Sequence, residues 1–233
     1  MKEYPLERGS VMKHFLKTVL LGIAAGASIG LGGLAFLACK AQPDAGALGH
    51  ILGSFMFAIG LLCVCSFGFF LFTGKIGYVF DNKPSYVLDL LAGYLGNIIG
   101  AEAIGYICFA IPAFRTGTMG AAAYNIAQTR INEGFFAPLM WGFICGIFVY
   151  VAVDLFKKKP GVTGTLGLIF AVAGFVVIGS EHCIANMFYF SAANSWNWQT
   201  ILNVLLVTIG NSLGSIAIRQ LVKLTEPKPE PAA

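Results

Sequence analysis

Residues 183–218 run for 36 positions without one charged side chain. A helix rises 1.5 Å per residue, so about 20 apolar residues cross the hydrocarbon core of a bilayer. Thirty-six are too many for one crossing and too apolar for a solvated connection. The feature recurs along the chain. Residues 45–74 carry no formal charge apart from the neutral-capable His50, and residues 18–39, 134–153 and 161–180 carry none. Residues 90–114 are interrupted only by Glu102. Only 11% of the 233 residues are charged, against roughly 25% in soluble domains, so lipid is the expected solvent.

The runs predict an all-α membrane protein with six spans in a single domain over residues 1–225. The 30-residue run at 45–74 has to bend or break. The fifth span begins at 161–180 and is interrupted by Glu181 and His182. A turn is expected at 191–199, where Asn194, Asn197 and two tryptophans cluster, and the sixth span at about 200–218. Residues 226–233, with alternating prolines, read as a disordered tail. Six spans put both termini on one side. That side carries twelve of the lysines and arginines and the other only Lys40, Arg115 and Arg130. The asymmetry predicts cytoplasmic termini in a plasma membrane. A net charge of +4 suits basic loops beside lipid headgroups and gives no reason to expect nucleic acid. The six cysteines contain no C-x-x-C pair and read as small buried hydrophobes, so no metal or cofactor is expected.

An internal repeat is visible. Gly96-Asn97-Ile98-Ile99-Gly100 and Gly210-Asn211-Ser212-Leu213-Gly214 are offset by 114 residues, about half the chain. Three spans per half would relate the halves, about 14–114 and 130–223, by inversion. The same offset carries Thr73 to Met187, beside Asn186, and so pairs the overlong second span with the interrupted fifth. Paired interruptions at corresponding positions point to a transport site.

The segment Glu181-His182-Cys183-Ile184-Ala185-Asn186 places ionisable groups at bilayer depth, where they usually face a pore or a partner. Out of water a histidine favours its neutral imidazole, which can donate a hydrogen bond to a passing anion. Alone, His182 reads equally as a packing residue paired with Glu181. Thr73-Gly74 reads either as an ordinary turn or as a hydroxyl beside a flexible backbone. Lys75 is either an interfacial anchor or a source of positive potential, and Arg130 either a solvated loop residue or an anion attractor.

Together, Leu71-Phe72-Thr73-Gly74, Gly96-Asn97-x-x-Gly100, Glu181-His182-x-Ile184-Ala185-Asn186-Met187-Phe188 and Thr208-Ile209-Gly210-Asn211 resemble the formate/nitrite transporter family over nearly the whole chain. The resemblance implies an aquaporin-like fold of six helices with the second and fifth broken, assembled as a homopentamer with a pore in each protomer. It implies conduction of small monovalent anions, formate or nitrite first and hydrosulfide or lactate as alternatives, with protons as the exchanged partner. It assigns His182 and Thr73 to the centre of the pore, with Glu181, Asn186 and Asn211 beside them. It assigns Phe57 and Leu61 to an outer constriction and Leu71 and Phe175 to an inner one. Lys75 and Arg130 are expected to attract the anion. Phe70, Gly146 and Lys75 depart from the family's usual residues, and Gly146 is expected to alter the inner slit. No enzyme chemistry is expected, since three histidines do not make a haem-bearing redox subunit. A neutral-solute pore of aquaporin type is the rival from another class; the paired asparagine-proline-alanine signature of such pores is missing from this chain.

Overall fold

The structure, a computed structural model, describes residues 8–225; the proline-containing tail at 226–233 lies outside the described residues. The chain is helical throughout: α1 (Arg8–Lys40), α2 (Gly46–Phe67), α3 (Phe72–Lys75), a 3-10 turn (Ile76–Asp81), α4 (Tyr86–Ala110), α5 (Pro112–Arg115), α6 (Thr118–Asn132), α7 (Phe136–Lys158), α8 (Val162–Val177), α9 (Cys183–Ala192) and α10 (Trp198–Thr225). Among the described residues five helices, α1, α2, α4, α7 and α10, are long and apolar enough to cross a membrane, and α8 and α9 are shorter apolar helices. Large apolar side chains such as Leu31, Leu48, Leu91, Phe170 and Leu213 face outward. In water such a surface would drive association, whereas against lipid it is the matching solvent.

Several boundaries move from the sequence expectation. The helix containing residues 18–39 starts ten residues earlier, because Lys13, His14 and Lys17 lie on an exposed end where charge is tolerated. There His14 Nε2 meets Asp89 Oδ1 at 2.8 Å. α4 stops at Ala110, short of Phe114, because the residue before Pro112 is held out of helical geometry. Helix α6 was not anticipated at all; its polar composition hides it among the loops.

Two helix pairs form the frame, α1 with α4 and α7 with α10. Both approach so closely that glycine is needed. A Cβ at Gly26 would collide with the backbone of Asn97, and one at Gly146 with the backbone of Asn211. Gly146 therefore sits in a helix seam that has no room for a side chain, and it lines neither of the two cavities described below.

The ends of α2 and α8 are also alike. Gly68 (φ +68°) and Gly179 (φ +79°) adopt left-handed backbone, and Phe69 N–H donates to Val64 O as Ser180 N–H does to Phe175 O. This is the left-handed stop that glycine makes cheap. The next residues are extended, and Leu71 (φ −96°, ψ 121°) and His182 (φ −109°, ψ 119°) are the N-caps of α3 and α9. The two interruptions are thus related by an offset of 111 residues, against 114 for Asn97 and Asn211. The structural partner of His182 is Leu71, and Thr73 corresponds to Ile184, not to Met187. Tyr94 and Thr208, which are 114 apart, hydrogen-bond each other at 2.8 Å.

At the end of the molecule holding the first residues of α1 and the last of α10, Asp81 Oδ2 accepts from Arg219 Nε at 2.6 Å and Oδ1 from Lys223 Nζ at 2.8 Å. Partial burial opposes the Asp81 charge, but the bonds from Arg219 and Lys223 outweigh it and hold the carboxyl below its usual range. A lowered carboxyl stabilises the fold above its unfolded titration range, and the contribution is lost as pH falls through the folded value. Asp81→Asn is expected to lower stability by about 0.5–1 kcal/mol at neutral pH, with the difference shrinking as pH falls below the ordinary carboxylate range. Thermal unfolding in detergent at neutral and acidic pH checks this.

Candidate functional site

The two interruptions meet in the interior. Each is hung from an asparagine of a long helix. Asn97 Oδ1 accepts from Phe72 N–H at 2.9 Å, and its Nδ2 donates to Gly22 O and Phe70 O. Asn211 Oδ1 accepts from Cys183 N–H at 3.0 Å, and its Nδ2 donates to Gly142 O and Glu181 O. Both side chains are fully buried. A helix that stops inside an apolar medium leaves N–H and C=O groups unpaired, and each asparagine supplies part of what the stop removes. Asn211 therefore supports the site from behind and lines neither cavity.

Held this way, Thr73 Oγ1 lies 2.7 Å from His182 Nε2. The other ring nitrogen, Nδ1, accepts from Ala185 N–H at 3.3 Å and caps α9. A neutral ring that accepts at Nδ1 carries its proton on Nε2, so His182 donates to Thr73. The threonine hydroxyl then keeps its own hydrogen for a third partner. Its main-chain oxygen accepts from Ser215 Oγ at 3.4 Å.

Glu181 is completely buried and lines neither cavity. Its Oε2 accepts from Asn186 Nδ2 at 2.6 Å and from Asn203 Nδ2 at 3.0 Å. Arg130 Nη1 stands 3.6 Å from Oε1, 3.1 Å from Glu133 Oε1 and 3.0 Å from Gly179 O. The sequence reading missed Asn203 and Glu133. Asn203 had a visible signal, a polar amide eight residues before Asn211 in an apolar helix; Glu133 looked like an ordinary loop residue three positions after Arg130.

Two cavities open toward this centre from opposite ends of α2. The larger, about 590 Å³, is lined by Lys40, His50, Phe57, Arg130, Phe175 and His182, among others. Asn186 also reaches it. The smaller, about 200 Å³, lies toward the end holding the start of α1 and the end of α10 and is lined by Val64, Leu71, Lys75, Phe156 and Lys157, among others. Thr73 lines neither and sits between them. Phe175 was expected beside Leu71. The structure sets it edge-on to Phe57, ring centres 5.9 Å apart, and stacks it on His182 at 6.2 Å. Phe57 and Phe175 thus meet on the wall of the larger cavity. Leu61, one turn further along α2, is buried between the two cavities. Lys75 Nζ lies 5.5 Å over the Phe70 ring, so the unusual phenylalanine shares the lysine's corner of the smaller cavity.

Apolar helices of bilayer length, an apolar exterior and polar groups kept for a buried centre define a multi-pass membrane protein. The sequence profile described as formate/nitrite transporter matches residues 7–225, and the chain belongs to that family, a family of transporters and not of enzymes. It is 30% identical to the transporter YrhG of Bacillus subtilis over 88% of this chain and 82% of that one. It is 27% identical to the formate channel FocA of Haemophilus influenzae over 83% and 80%. It is also similar to a solved pentameric formate channel with formate bound, at a TM-score of 0.79 and 26% identity, covering 91% of this chain and 97% of the other.

Proposed function

We propose that the protein is a homopentameric channel or proton-coupled transporter for small monovalent anions, with formate as the first candidate. The observation that carries this reading is the Thr73–His182 hydrogen bond at the closed centre between two cavities. The names of the channels it is similar to support formate as the solute. In this reading α2 with α3 and α8 with α9 are the second and fifth of six spans, each broken. The halves then form a 3+3 inverted repeat, and the matched asparagine bonds and glycine stops support that. The excess of lysine and arginine on the side of the termini supports a cytoplasmic location for both.

The path runs through both cavities. Lys75 at the smaller mouth raises the local anion concentration, and Arg130 at the larger one offsets the charge of Glu133 and Glu181 beside it. Phe57 with Phe175, and Leu61 with Leu71, remove water from the anion. Between them a bare ion is poorly solvated, and the neutral acid is far cheaper. Formate draws a proton from the water of the entrance cavity by way of His182, whose ring takes one proton up as it passes one on and so ends neutral; the solute crosses as formic acid and returns the proton to water beyond. Thr73 and Asn186 offer hydrogen bonds in place of lost water. Glu181 and Asn211 hold the His182 segment in position.

Uptake into proteoliposomes is the test, with formate, nitrite, hydrosulfide, lactate, chloride and glycerol compared at equal gradients. Formate is expected to exceed chloride and glycerol. Glycerol uptake without formate uptake would replace this reading by a neutral-solute pore. Native mass spectrometry checks the assembly, expected at five copies.

A further inference from the structure

We propose that Glu133 and Glu181 share one proton at the larger mouth, and that this proton sets the charge an arriving anion meets. The inference deepens the reading of that cavity as an anion entrance and rests on it.

The two carboxyls converge on one nitrogen of Arg130, whose Nη1 lies 3.1 Å from Glu133 Oε1 and 3.6 Å from Glu181 Oε1. Glu133 Oε2 and Glu181 Oε1 are both shut off from solvent, and neither has any other hydrogen-bond partner. Two buried carboxylate oxygens with no donor between them repel each other and leave both desolvated. One proton held between them removes both penalties at once, as an O–H donor to the opposing oxygen. The remaining oxygens are already occupied, Glu133 Oε1 by Arg130 and Glu181 Oε2 by Asn186 and Asn203.

Among the described residues no side-chain donor reaches either oxygen, and Arg130 Nε, a buried donor without a partner, bonds to neither. Arg130 is a single charge, already divided between Glu133, Glu181 and Gly179. Cys145 of α7 and His182 and Tyr189 of α9 are uncharged as placed here. Lys40 and His50 lie on the same cavity and contact each other at 3.5 Å. One guanidinium against two carboxylates leaves a net charge of −1, and the shared proton brings the cluster to zero.

Glu133 is the member that reaches the cavity; Glu181 is sealed behind it. The proton therefore exchanges through Glu133. Burial first, then the hydrogen bond with Glu181, raise the Glu133 carboxyl to about 7 against the opposing pull of Arg130. A raised carboxyl is protonated below that value and ionised above it. Acidic conditions thus present a neutral Arg130–Glu133–Glu181 cluster at the mouth, and alkaline conditions one of charge −1 that opposes the entry of anions drawn by Lys40 on the same cavity. Titration couples entry to the gradient that the centre of the pore would use.

Two measurements on the full chain test this. In the first, formate uptake into proteoliposomes is compared for wild type and Glu133→Gln, which mimics the protonated acid and cannot ionise. The ratio of variant to wild-type uptake is expected to rise about tenfold between about pH 5.5 and about pH 8, because a single charge at a focusing mouth acts on that scale. A ratio that stays constant overturns the proposal. In the second, infrared difference spectra of wild type are recorded across the same range. They are expected to show a protonated-carboxyl band lost on alkalinisation and missing from Glu133→Gln, with Glu102→Gln retaining it. Wild type without that band overturns the proposal whether or not either protein carries formate. Formate uptake failing in both proteins while the band titrates would discard formate as the solute and leave the shared proton standing.

Discussion

His182→Ala is expected to lower formate uptake about tenfold to a hundredfold at neutral pH and to flatten its pH dependence. General acid–base groups contribute effects of this order or larger. The ring does two things, and the variants separate them. Nδ1 caps α9 through Ala185 N–H, and Nε2 reaches Thr73. Alanine loses both, including a cap worth about 1 kcal/mol. Asparagine is a good N-cap and keeps a hydrogen-bond donor, but it does not titrate. His182→Asn is therefore expected to assemble like wild type, to conduct better than the alanine variant and to be as insensitive to pH. Uptake across about pH 5–8 makes the comparison. Two assembled variants that match wild type at every pH would reduce His182 to a packing residue.

The second large effect is expected at Asn211. Its amide pairs three main-chain groups, Cys183 N–H, Gly142 O and Glu181 O, in a fully buried place. Asn211→Ala leaves all three without partners, at about 1–3 kcal/mol each. The sum approaches the whole stability margin of many proteins, about 5–15 kcal/mol. Loss of the monodisperse oligomer in detergent is the expected outcome, and Asn97→Ala should behave alike because it makes the same set of bonds. Size-exclusion profiles and thermal unfolding of both variants check it; wild-type stability in either would show that water or neighbouring groups replace the amide.

Much of this frame is written in local residues. Charge-free runs announce the apolar helices because charge at bilayer depth is costly at every position. The two Gly-Asn-x-x-Gly strings mark the close seams, since both need small residues at the spacing of a helical turn. The meeting of Thr73 and His182 followed from motifs that resemble a family, and spacing alone left both residues ambiguous. The register between the interruptions was not readable from the repeat in the long helices. Connections of different length shift the offset from 114 to 111, and only the main-chain bonds to Asn97 and Asn211 reveal it. The grouping of Phe175 with Phe57 was equally hidden, because it depends on how α8 leans on α2. Glu133 is the plainest case: a loop carboxyl three residues after an arginine has no mark of burial until α6 is folded against the start of α9.

The asparagines hold both interruptions by peptide groups alone and touch none of the side chains there. Phe70-Leu71-Phe72 and Glu181-His182-Cys183 consequently occupy matching stations while sharing no residue. A holder that is blind to sequence leaves each half free to mutate at its most sensitive point without losing shape. One interruption presents a leucine where the other presents an imidazole, so two stations of like shape differ in chemistry and the interior has a direction.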